Sequence, residues 1–519
     1  MKNISKKFVE FCVTPFVSEF HIFLLLSLYV CAPLFIGLLC KTHDWQLTIW
    51  ESLHGMIICY IAILPISLIP LNYKPLFRLI LCLFGLFDFI IESACWFTIG
   101  WKCHNDIVSI VMEGNFSEWS EFFRTYFSAK LLAIVLLAVA LLFLILYYRP
   151  LRNRVRFQVS KYLVLLMLLF SSVFLIKGSG SWELKFLMKV ISFIQYDSVP
   201  DLRECVKDIE VSASTDLPDN IVLILGESFS KYHSSLYGYH KDTNPRLGQL
   251  EKDSLLCVLD HVISPDTHTI PCIKAIMSLH QDGDDAGQWY EHPALPRMMS
   301  ELGYKTFWVS NQSPSGISDN VAAAYSKLCD SVIWNGSKVK GVYKAEKDGE
   351  LLDVLHKLEL SSRNFIIIHL MGSHVSYDLR YPKEWSVFSE DDYSELLESQ
   401  RKVVSSYDNS ILYNDYVVNE VFDIFSTKET VAFYFSDHGL DIFKTSDKHF
   451  GYAVANNDES ILIAKAIPFM VYFSPSAKTD FNSVYQKIDA RKQGEFCTEN
   501  MIKLIMELFG IKISEAVGY

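Results

Sequence analysis

Long apolar runs in the first third of the chain constrain its fold more than any other feature. Five of them approach the roughly 20 residues that a helix needs to cross a bilayer. They cover residues 20–40, 55–71, 76–97, 131–148 and 162–176. Buried helices of a soluble protein are the alternative, but polar residues would interrupt such helices at regular spacing. The runs therefore predict five transmembrane helices and exclude a wholly soluble enzyme.

Basic residues in the connections predict how these helices are oriented, because cytoplasmic loops carry an excess of Lys and Arg. The N-terminal tail and the second and fourth connections hold Lys2, Lys6, Lys7, Lys74, Arg78, Arg149, Arg152, Arg154, Arg156 and Lys161. The first and third connections hold far fewer, among them Lys41, Lys102 and Arg124. The N-terminus is therefore expected in the cytoplasm, and five spans place everything after residue 177 on the opposite side.

This topology divides the chain into three parts. We expect a membrane domain over residues 1–177 with an outward loop at 101–127, an interfacial bridging helix and linker over 178–200, and an outer domain over 201–519. Within the third span, Asp88 and Glu92 could pair inside the helix bundle or lie near an interface. Because that span ends at Gly100, a position near the outer interface, within reach of water, is favoured.

The outer domain alternates short apolar runs with polar, helix-like segments. This alternation predicts an α/β fold with a mostly parallel sheet. Four runs lead into residues able to do chemistry, and they cover 220–228, 306–312, 365–374 and 431–439. Ligands bind beyond the carboxyl ends of the strands in such sheets. Glu227, His374, Asp437 and His438 are therefore expected to meet in one crevice.

A zinc ion is the ligand that suits this crevice. Zn²⁺ accepts mixed oxygen and nitrogen donors, such as Glu227, Asp437 and His438, and keeps an open position in catalytic sites. The alternative is structural, because Asp-His-Gly can cap a helix and Gly-Glu-Ser is common in loops. Three strand ends that each carry a ligand type favour the metal. The charge balance, 47 basic against 59 acidic residues, argues against nucleic-acid binding as the function.

Thr269 lies between a polar turn and an apolar, helix-like run. It is therefore expected at or near a helix N-terminus, where backbone N–H groups and the helix dipole favour an anion such as phosphate. An ordinary N-cap threonine is the alternative. A nearby zinc would lower the pKa of the Thr269 hydroxyl and make it a nucleophile.

Several motifs of the outer domain occur together. They are Leu223-Ile-Leu-Gly-Glu-Ser-Phe-Ser, Ser235-Leu-Tyr-Gly-Tyr, Gly303-Tyr-Lys-Thr-Phe-Trp-Val-Ser-Asn-Gln312, His369-Leu-Met-Gly-Ser-His374, Tyr407-Asp-Asn and Phe435-Ser-Asp-His-Gly439, with Thr269 nine residues before Ser278. With the five-span start, this set closely resembles the lipopolysaccharide phosphoethanolamine transferases of Gram-negative inner membranes. These enzymes form a sulfatase-like branch of the alkaline phosphatase superfamily. The motifs here most resemble those of the core-heptose subgroup.

The resemblance implies a multi-pass inner-membrane enzyme whose catalytic domain lies in the periplasm. Glu227, Thr269, Asp437 and His438 would hold one tightly bound zinc, with room for a second ion in the site. Thr269 would accept phosphoethanolamine from phosphatidylethanolamine and pass it to lipopolysaccharide, on lipid A or a core sugar.

Further site residues also follow from the resemblance. His374 and His449 correspond to histidines that hold the donor phosphate or a second zinc and assist proton transfer. Polar contacts to the headgroup and a donor-binding surface loop are implied at Asn311, Gln312, Asn115 and Glu118.

The alternatives to this function are a phosphoglycerol transferase, a sulfatase and a non-catalytic membrane scaffold. A phosphoglycerol transferase would share the fold, the metal and the threonine. A sulfatase is disfavoured because no Cys-x-Pro-x-Arg sequence occurs, and a non-catalytic scaffold would have no reason to keep Glu227, Thr269, Asp437 and His438 together. The outer domain also departs from relatives with paired cysteines, since it has an odd number, Cys205, Cys257, Cys272, Cys329 and Cys497, of which two could form a disulfide.

Overall fold

A computed structural model gives the arrangement of most of the chain. It describes residues 13, 16, 18–39, 45–98, 120–121, 124, 129–147, 200–206, 209–280, 288–314, 321–339, 342–344, 346–447, 449–453 and 457–515. The chain forms two compact units, the first with the apolar helices and the second with the outer domain. The fifth predicted span, the bridging helix, Asn115 and Glu118 lie outside the described residues, and they stay predictions.

Four helices of the first unit are long and apolar enough to cross a membrane. They are α1 (Phe20–Leu39), α2 (Trp45–Ile63), α3 (Lys74–Thr98) and α4 (Ala129–Tyr147). Helices α1, α3 and α4 closely match their predicted runs, whereas α2 begins at Trp45 and not at residue 55. The polar residues of this added stretch do not end the helix, because Thr48 and Ser52 are buried.

Asp88 and Glu92 of α3 are buried, so the expectation that water reaches them is wrong. Carboxylates inside an apolar helix bundle are costly unless they find polar partners. At the start of α3, the Arg78 Nε atom donates to a Glu19 carboxylate oxygen at 2.8 Å. This ion pair joins the beginnings of α1 and α3 at one end of the helix bundle.

The outer domain alternates helices and strands, as its sequence predicts. Its strands are β1 (Ile209–Ala213), β2 (Asn220–Gly226), β3 (Leu256–Val258), β4 (His261–Ile263), β5 (Lys305–Ser310), β6 (Ser331–Trp334), β7 (Ser337–Val339), β8 (Val342–Lys344), β9 (Asn364–His369), β10 (Thr430–Ser436), β11 (Asp441–Ile442), β12 (Phe450–Gly451), β13 (Phe469–Phe473), β14 (Glu495–Cys497) and β15 (Ile511–Glu515). Its helices are α5 (Leu202–Cys205), α6 (Pro245–Lys252), α7 (Thr269–Met277), α8 (Leu295–Glu301), α9 (Val321–Ser326), α10 (Glu350–Leu355), α11 (Glu398–Phe425), α12 (Asp458–Lys465), α13 (Pro475–Asp480), α14 (Asn482–Asp489) and α15 (Met501–Phe509).

A seven-stranded sheet organises this domain, in the order β3-β13-β10-β2-β9-β5-β6. The pairs from β10 through β6 are parallel, and β13 is antiparallel to both of its neighbours. The expected α/β fold with a mostly parallel sheet is therefore confirmed. The central strands are apolar throughout because both faces of the sheet are covered. In β2, Ile221 and Leu223 belong to the core on one face, and Val222 and Ile224 belong to the core on the other.

The five cysteines of the outer domain are all free thiols, and so are the other cysteines in the described part of the chain. The buried Cys272 thiol donates to the backbone oxygen of Asp266 at 3.3 Å. The outer domain is thus held together here by its two-sided core.

Candidate active site

The sheet brings the predicted site residues to one edge. Ser436, the last residue of β10, pairs with Gly226, the last residue of β2. Glu227 and Asp437 therefore leave adjacent strands side by side, and the Asp437 N–H donates to the Gly226 oxygen at 3.0 Å. His438 follows directly and is fully buried.

Glu227, Asp437 and His438 form a compact group that could hold a metal ion. One ligand atom from each lies within 4.8 Å of the other two. The Nε2 atom of His438 is 3.2 Å from the Glu227 Oε1 atom and 3.6 Å from the Asp437 Oδ2 atom. Asp437 Oδ2 is buried and has no hydrogen-bond partner among the described residues. A buried carboxylate oxygen without a partner is costly, and a cation would satisfy it.

The electrostatics of this group also favour a cation. Burial and the neighbouring Glu227 charge raise the pKa of Asp437. Burial opposes charge on His438, but the two carboxylates outweigh it and raise the His438 pKa. Burial likewise opposes ionisation of Glu227, whose pKa is nevertheless held below its usual range by His438. Two buried carboxylates thus face one imidazole, and their excess negative charge suits a divalent metal.

Thr269 is the first residue of α7, as the sequence predicts. Its hydroxyl donates to Glu227 Oε2 at 3.1 Å and lies 3.4 Å from His438 Nε2. Two other hydroxyls are close in sequence or space. The Thr267 hydroxyl lies 3.1 Å from His268 Nδ1, and Ser228, which bonds Glu227, is almost completely buried. Thr269 is only half-buried, so it combines contact with the metal-binding group and access from outside.

Gln312 reaches the same group, whereas Asn311 bonds elsewhere. The Gln312 side chain donates to Glu227 Oε2 at 3.1 Å and to the Leu370 oxygen at 3.0 Å. The buried Asn311 amide donates to the backbone oxygen of Glu346 at 2.8 Å and to an Asp348 carboxylate oxygen at 2.7 Å. Both amides bond within the protein here, and their contact with a headgroup stays a prediction.

His374 lies beside the metal-binding group and interacts electrostatically with Glu227 and His438. Its Nδ1 atom is buried without a hydrogen-bond partner among the described residues. Loss of surrounding water lowers the pKa of His374 to about 4, although the Glu227 charge opposes this shift. The imidazole is therefore neutral at pH 7, with a ring nitrogen able to take a proton.

His449 occupies a different position, next to Tyr452. Its Nε2 atom lies 2.8 Å from the Tyr452 backbone oxygen. The Tyr452 ring lies 5.3 Å from the His438 ring and stacks on His268 at 5.4 Å. His449 thus adjoins the metal-binding group through Tyr452, and a direct role in turnover stays a prediction.

Two residues near the site were not predicted from sequence. Asp348 is buried and accepts hydrogen bonds from the N–H groups of Met371 and Gly372, both at 2.8 Å. These bonds shape the turn that leads to His374. His369, the last residue of β9, is buried, and its Nε2 atom has no hydrogen-bond partner within the part of the chain that the structure describes. The His369-to-His374 motif contained a signal for His369, but Asp348 lies in a polar loop without any local pattern.

A short part of the predicted outward loop belongs to the outer unit. The Glu121 carboxylate pairs with Arg380, and its backbone oxygen accepts from the Ser376 hydroxyl at 3.2 Å. Arg124 pairs with Asp378 at 2.8 Å. These contacts attach the loop to the segment that directly follows His374.

Comparison with known proteins agrees with this geometry. Residues 219–511 match the family described as Sulfatase. The chain is 27% identical to the phosphoethanolamine transferase EptC of Escherichia coli strain K12 over 431 residues. The matched region covers 74% of this chain and 72% of that protein.

Solved structures show the same fold. The C-terminal periplasmic domain of Escherichia coli EcEptC in complex with zinc shares 26% identity at a TM-score of 0.52, covering 59% of this chain and 86% of that one. The integral membrane protein lipooligosaccharide phosphoethanolamine transferase A of Neisseria meningitidis has a TM-score of 0.67 at 16% identity, covering 95% of this chain and 96% of that one. The combination of a helical membrane domain and an α/β outer domain is therefore confirmed.

Proposed function

This chain belongs to the sulfatase family, and from that premise we propose that it transfers phosphoethanolamine from phosphatidylethanolamine to lipopolysaccharide. The acceptor group would be a lipid A phosphate or a core sugar. The enzyme would lie in a Gram-negative inner membrane with its outer domain in the periplasm. The names of its relatives, the spans and the charge of the connections support this placement.

One observation carries the proposal. The Thr269 hydroxyl lies at a helix N-terminus and 3.1 Å from Glu227, within a group that also contains Asp437 and His438. A phosphodiester requires an anion-binding position, a nucleophile and a means of activating it. A helix cap without chemistry would need none of the buried carboxylates.

The residues fit a zinc ion. Glu227, Asp437 and His438 supply two oxygen donors and one nitrogen donor, and the unpartnered Asp437 oxygen has room for a cation. Thr269 would occupy the remaining position, and a second ion near His374 would be compatible with its unbonded Nδ1 atom. When bound, zinc supplies positive charge that lowers the pKa of the Thr269 hydroxyl and stabilises negative charge on the phosphoryl oxygens.

Transfer would proceed in two displacements at phosphorus. The Thr269 hydroxyl loses its proton as its oxygen forms a bond to phosphorus, the bond to the diacylglycerol oxygen breaks, and diacylglycerol leaves after taking up a proton. An acceptor oxygen on the lipopolysaccharide then loses its proton and bonds phosphorus, the bond between phosphorus and the Thr269 oxygen breaks, and Thr269 takes up a proton to restore its hydroxyl. Neutral His374, beside the site, is suited to take the acceptor proton in this second step.

The histidines should separate turnover from metal binding. We expect His374→Ala and His449→Ala to keep the first zinc but to lower phosphoethanolamine transfer by about 10²-fold or more, because proton transfer and donor binding fail. Zinc content and diacylglycerol release measure the two effects, and the exposed His356→Ala serves as control. A variant that turns over at the wild-type rate would return that histidine to a structural role.

Donor choice tests the proposed function against its rivals. We expect the purified full-length chain, with zinc and lipopolysaccharide, to release diacylglycerol from phosphatidylethanolamine vesicles and to add phosphoethanolamine to the glycolipid, as read by mass spectrometry. Consumption of phosphatidylglycerol instead would make the chain a phosphoglycerol transferase. Consumption of neither donor, with no metal bound, would make it a scaffold.

A further inference from the structure

The Tyr407-Asp408-Asn409 motif has no part in the chemistry above, yet it lies against the site. It forms one turn of α11 together with Ser410, and all four side chains are buried. Each side chain bonds a different segment. Tyr407 contacts residues 228–230, Asp408 contacts His233, Tyr239 and Tyr393, Asn409 contacts residues 387–388, and Ser410 contacts Ser373.

The Tyr407 hydroxyl makes two hydrogen bonds to the turn after Glu227. It donates to the Ser228 backbone oxygen at 2.7 Å and accepts from the Ser230 N–H at 2.8 Å. Ser228 has a φ of +59°, a left-handed conformation that is uncommon for residues other than glycine. Such a conformation persists only where the surrounding structure enforces it. The two Tyr407 bonds bracket Ser228 and supply that enforcement.

Ser228 in turn contacts both carboxylates of the metal-binding group. Its hydroxyl donates to Glu227 Oε1 at 2.7 Å, and its N–H donates to Asp437 Oδ1 at 3.2 Å. The first bond restrains the Glu227 carboxylate and the second engages Asp437 Oδ1, while Asp437 Oδ2 has no hydrogen-bond partner among the described residues. The conformation of Ser228 therefore contributes to the orientation of both carboxylates, beside the bonds that Thr269 and Gln312 make to Glu227 Oε2 and the bond that the His438 N–H makes to Asp437 Oδ1.

A second arm of the same helical turn acts on the backbone of Glu227. The Ser410 hydroxyl donates to the Ser373 hydroxyl at 2.9 Å, and the Ser373 N–H donates to the Glu227 oxygen at 2.9 Å. Tyr407 and Ser410 thus hold Glu227 from both sides, through the turn after β2 and the loop that carries His374.

We propose that Tyr407 is a positioning residue of the metal centre, which acts by holding Ser228 in its left-handed conformation and so orients Glu227 and Asp437. This inference rests on the proposed metal site. The Tyr407 ring is packed edge-on against Tyr377 at 4.9 Å and His233 at 5.0 Å, so loss of the hydroxyl alone leaves its packing in place.

Tyr407→Phe in the full-length chain tests the proposal. Zinc affinity, measured by competition with a chromophoric chelator, is expected to fall about 10- to 100-fold, as for other residues that orient metal ligands. Tyr304→Phe is the matched control, because its buried hydroxyl also donates to a backbone oxygen, that of Pro218, at 2.8 Å. The control is expected to change the melting temperature but not zinc affinity. Unchanged zinc affinity in Tyr407→Phe would overturn the proposal.

The Ser228→Gly background shows whether Tyr407 acts through Ser228. Glycine adopts a positive φ without strain, so the effect of Tyr407→Phe on zinc affinity should shrink in this background. An equal effect in both backgrounds would contradict the proposed route. A wild-type chain that binds no zinc, or an Asp437→Ala chain that binds it as well as wild type, would instead refute the metal site itself.

Discussion

Asp437→Ala is expected to fold and to lose its zinc. The substitution removes one of three ligands and leaves Glu227 and His438 as a simple ion pair, 3.2 Å apart. Zinc affinity should fall by more than about 100-fold, because loss of a residue that only orients a metal ligand already lowers affinity by about 10- to 100-fold. Zinc per chain, measured by elemental mass spectrometry, and diacylglycerol release should fall together.

Stability provides an independent measure of the same change. A metal that binds the folded chain stabilises it by about 2.7 kcal/mol at 100 times its dissociation constant. Added zinc should therefore raise the melting temperature of wild type but not that of Asp437→Ala. Without metal the variant should be at least as stable as wild type, because the substitution removes a buried carboxylate beside Glu227. Burial and the Glu227 charge disfavour ionisation of Asp437 and raise its pKa. Asp489→Ala, at a partly exposed carboxylate, is the control. Full zinc content and turnover in Asp437→Ala would contradict the assignment.

Thr269→Ala is expected to abolish transfer while it keeps the metal-binding group. Removal of a nucleophile lowers turnover by at least about 10³-fold, and Glu227, Asp437 and His438 still offer the metal three protein ligands. Thr269→Ser, which retains a hydroxyl, should keep measurable activity. Diacylglycerol release with lipopolysaccharide as acceptor measures all three proteins.

The neighbouring Thr267 supplies the matched comparison. Its hydroxyl lies against His268 and not against the metal-binding group, so Thr267→Ala should turn over at near the wild-type rate. If Thr267→Ala were inactive and Thr269→Ala active, the roles of the two threonines would be reversed. At saturating zinc, both variants should still hold the metal through Glu227, Asp437 and His438, which separates nucleophile loss from metal loss.

Local pattern was enough to predict much of the fold. The apolar runs predicted α1, α3 and α4, because strongly apolar stretches of that length have few alternatives. Likewise, the run 220–228 predicted β2, since a strand buried on both faces must be apolar throughout. The position of Thr269 followed from a polar turn before an apolar helix. Parallel pairing then placed Glu227 and Asp437 together.

Features that depend on contacts between distant segments were not predicted. The start of α2 was missed because Thr48 and Ser52 are polar in sequence but buried in the helix bundle. Asp348 supports the turn before His374 from a loop of ordinary polar composition. Tyr407 was noted as part of a motif, but its hydroxyl bonds to the Ser228 turn, which lies 179 residues earlier in the sequence. Such roles appear only once the fold brings these segments together.

The most direct test of the account is to map the covalent intermediate. Purified full-length chain loaded with zinc is incubated with phosphatidylethanolamine but no acceptor, digested, and analysed by tandem mass spectrometry. We expect one phosphoethanolamine on the peptide that contains Thr269, its loss on addition of lipopolysaccharide, and no adduct in Thr269→Ala. An adduct on Thr267 or Ser228, or turnover without any adduct, would contradict the assignment of Thr269 as the nucleophile.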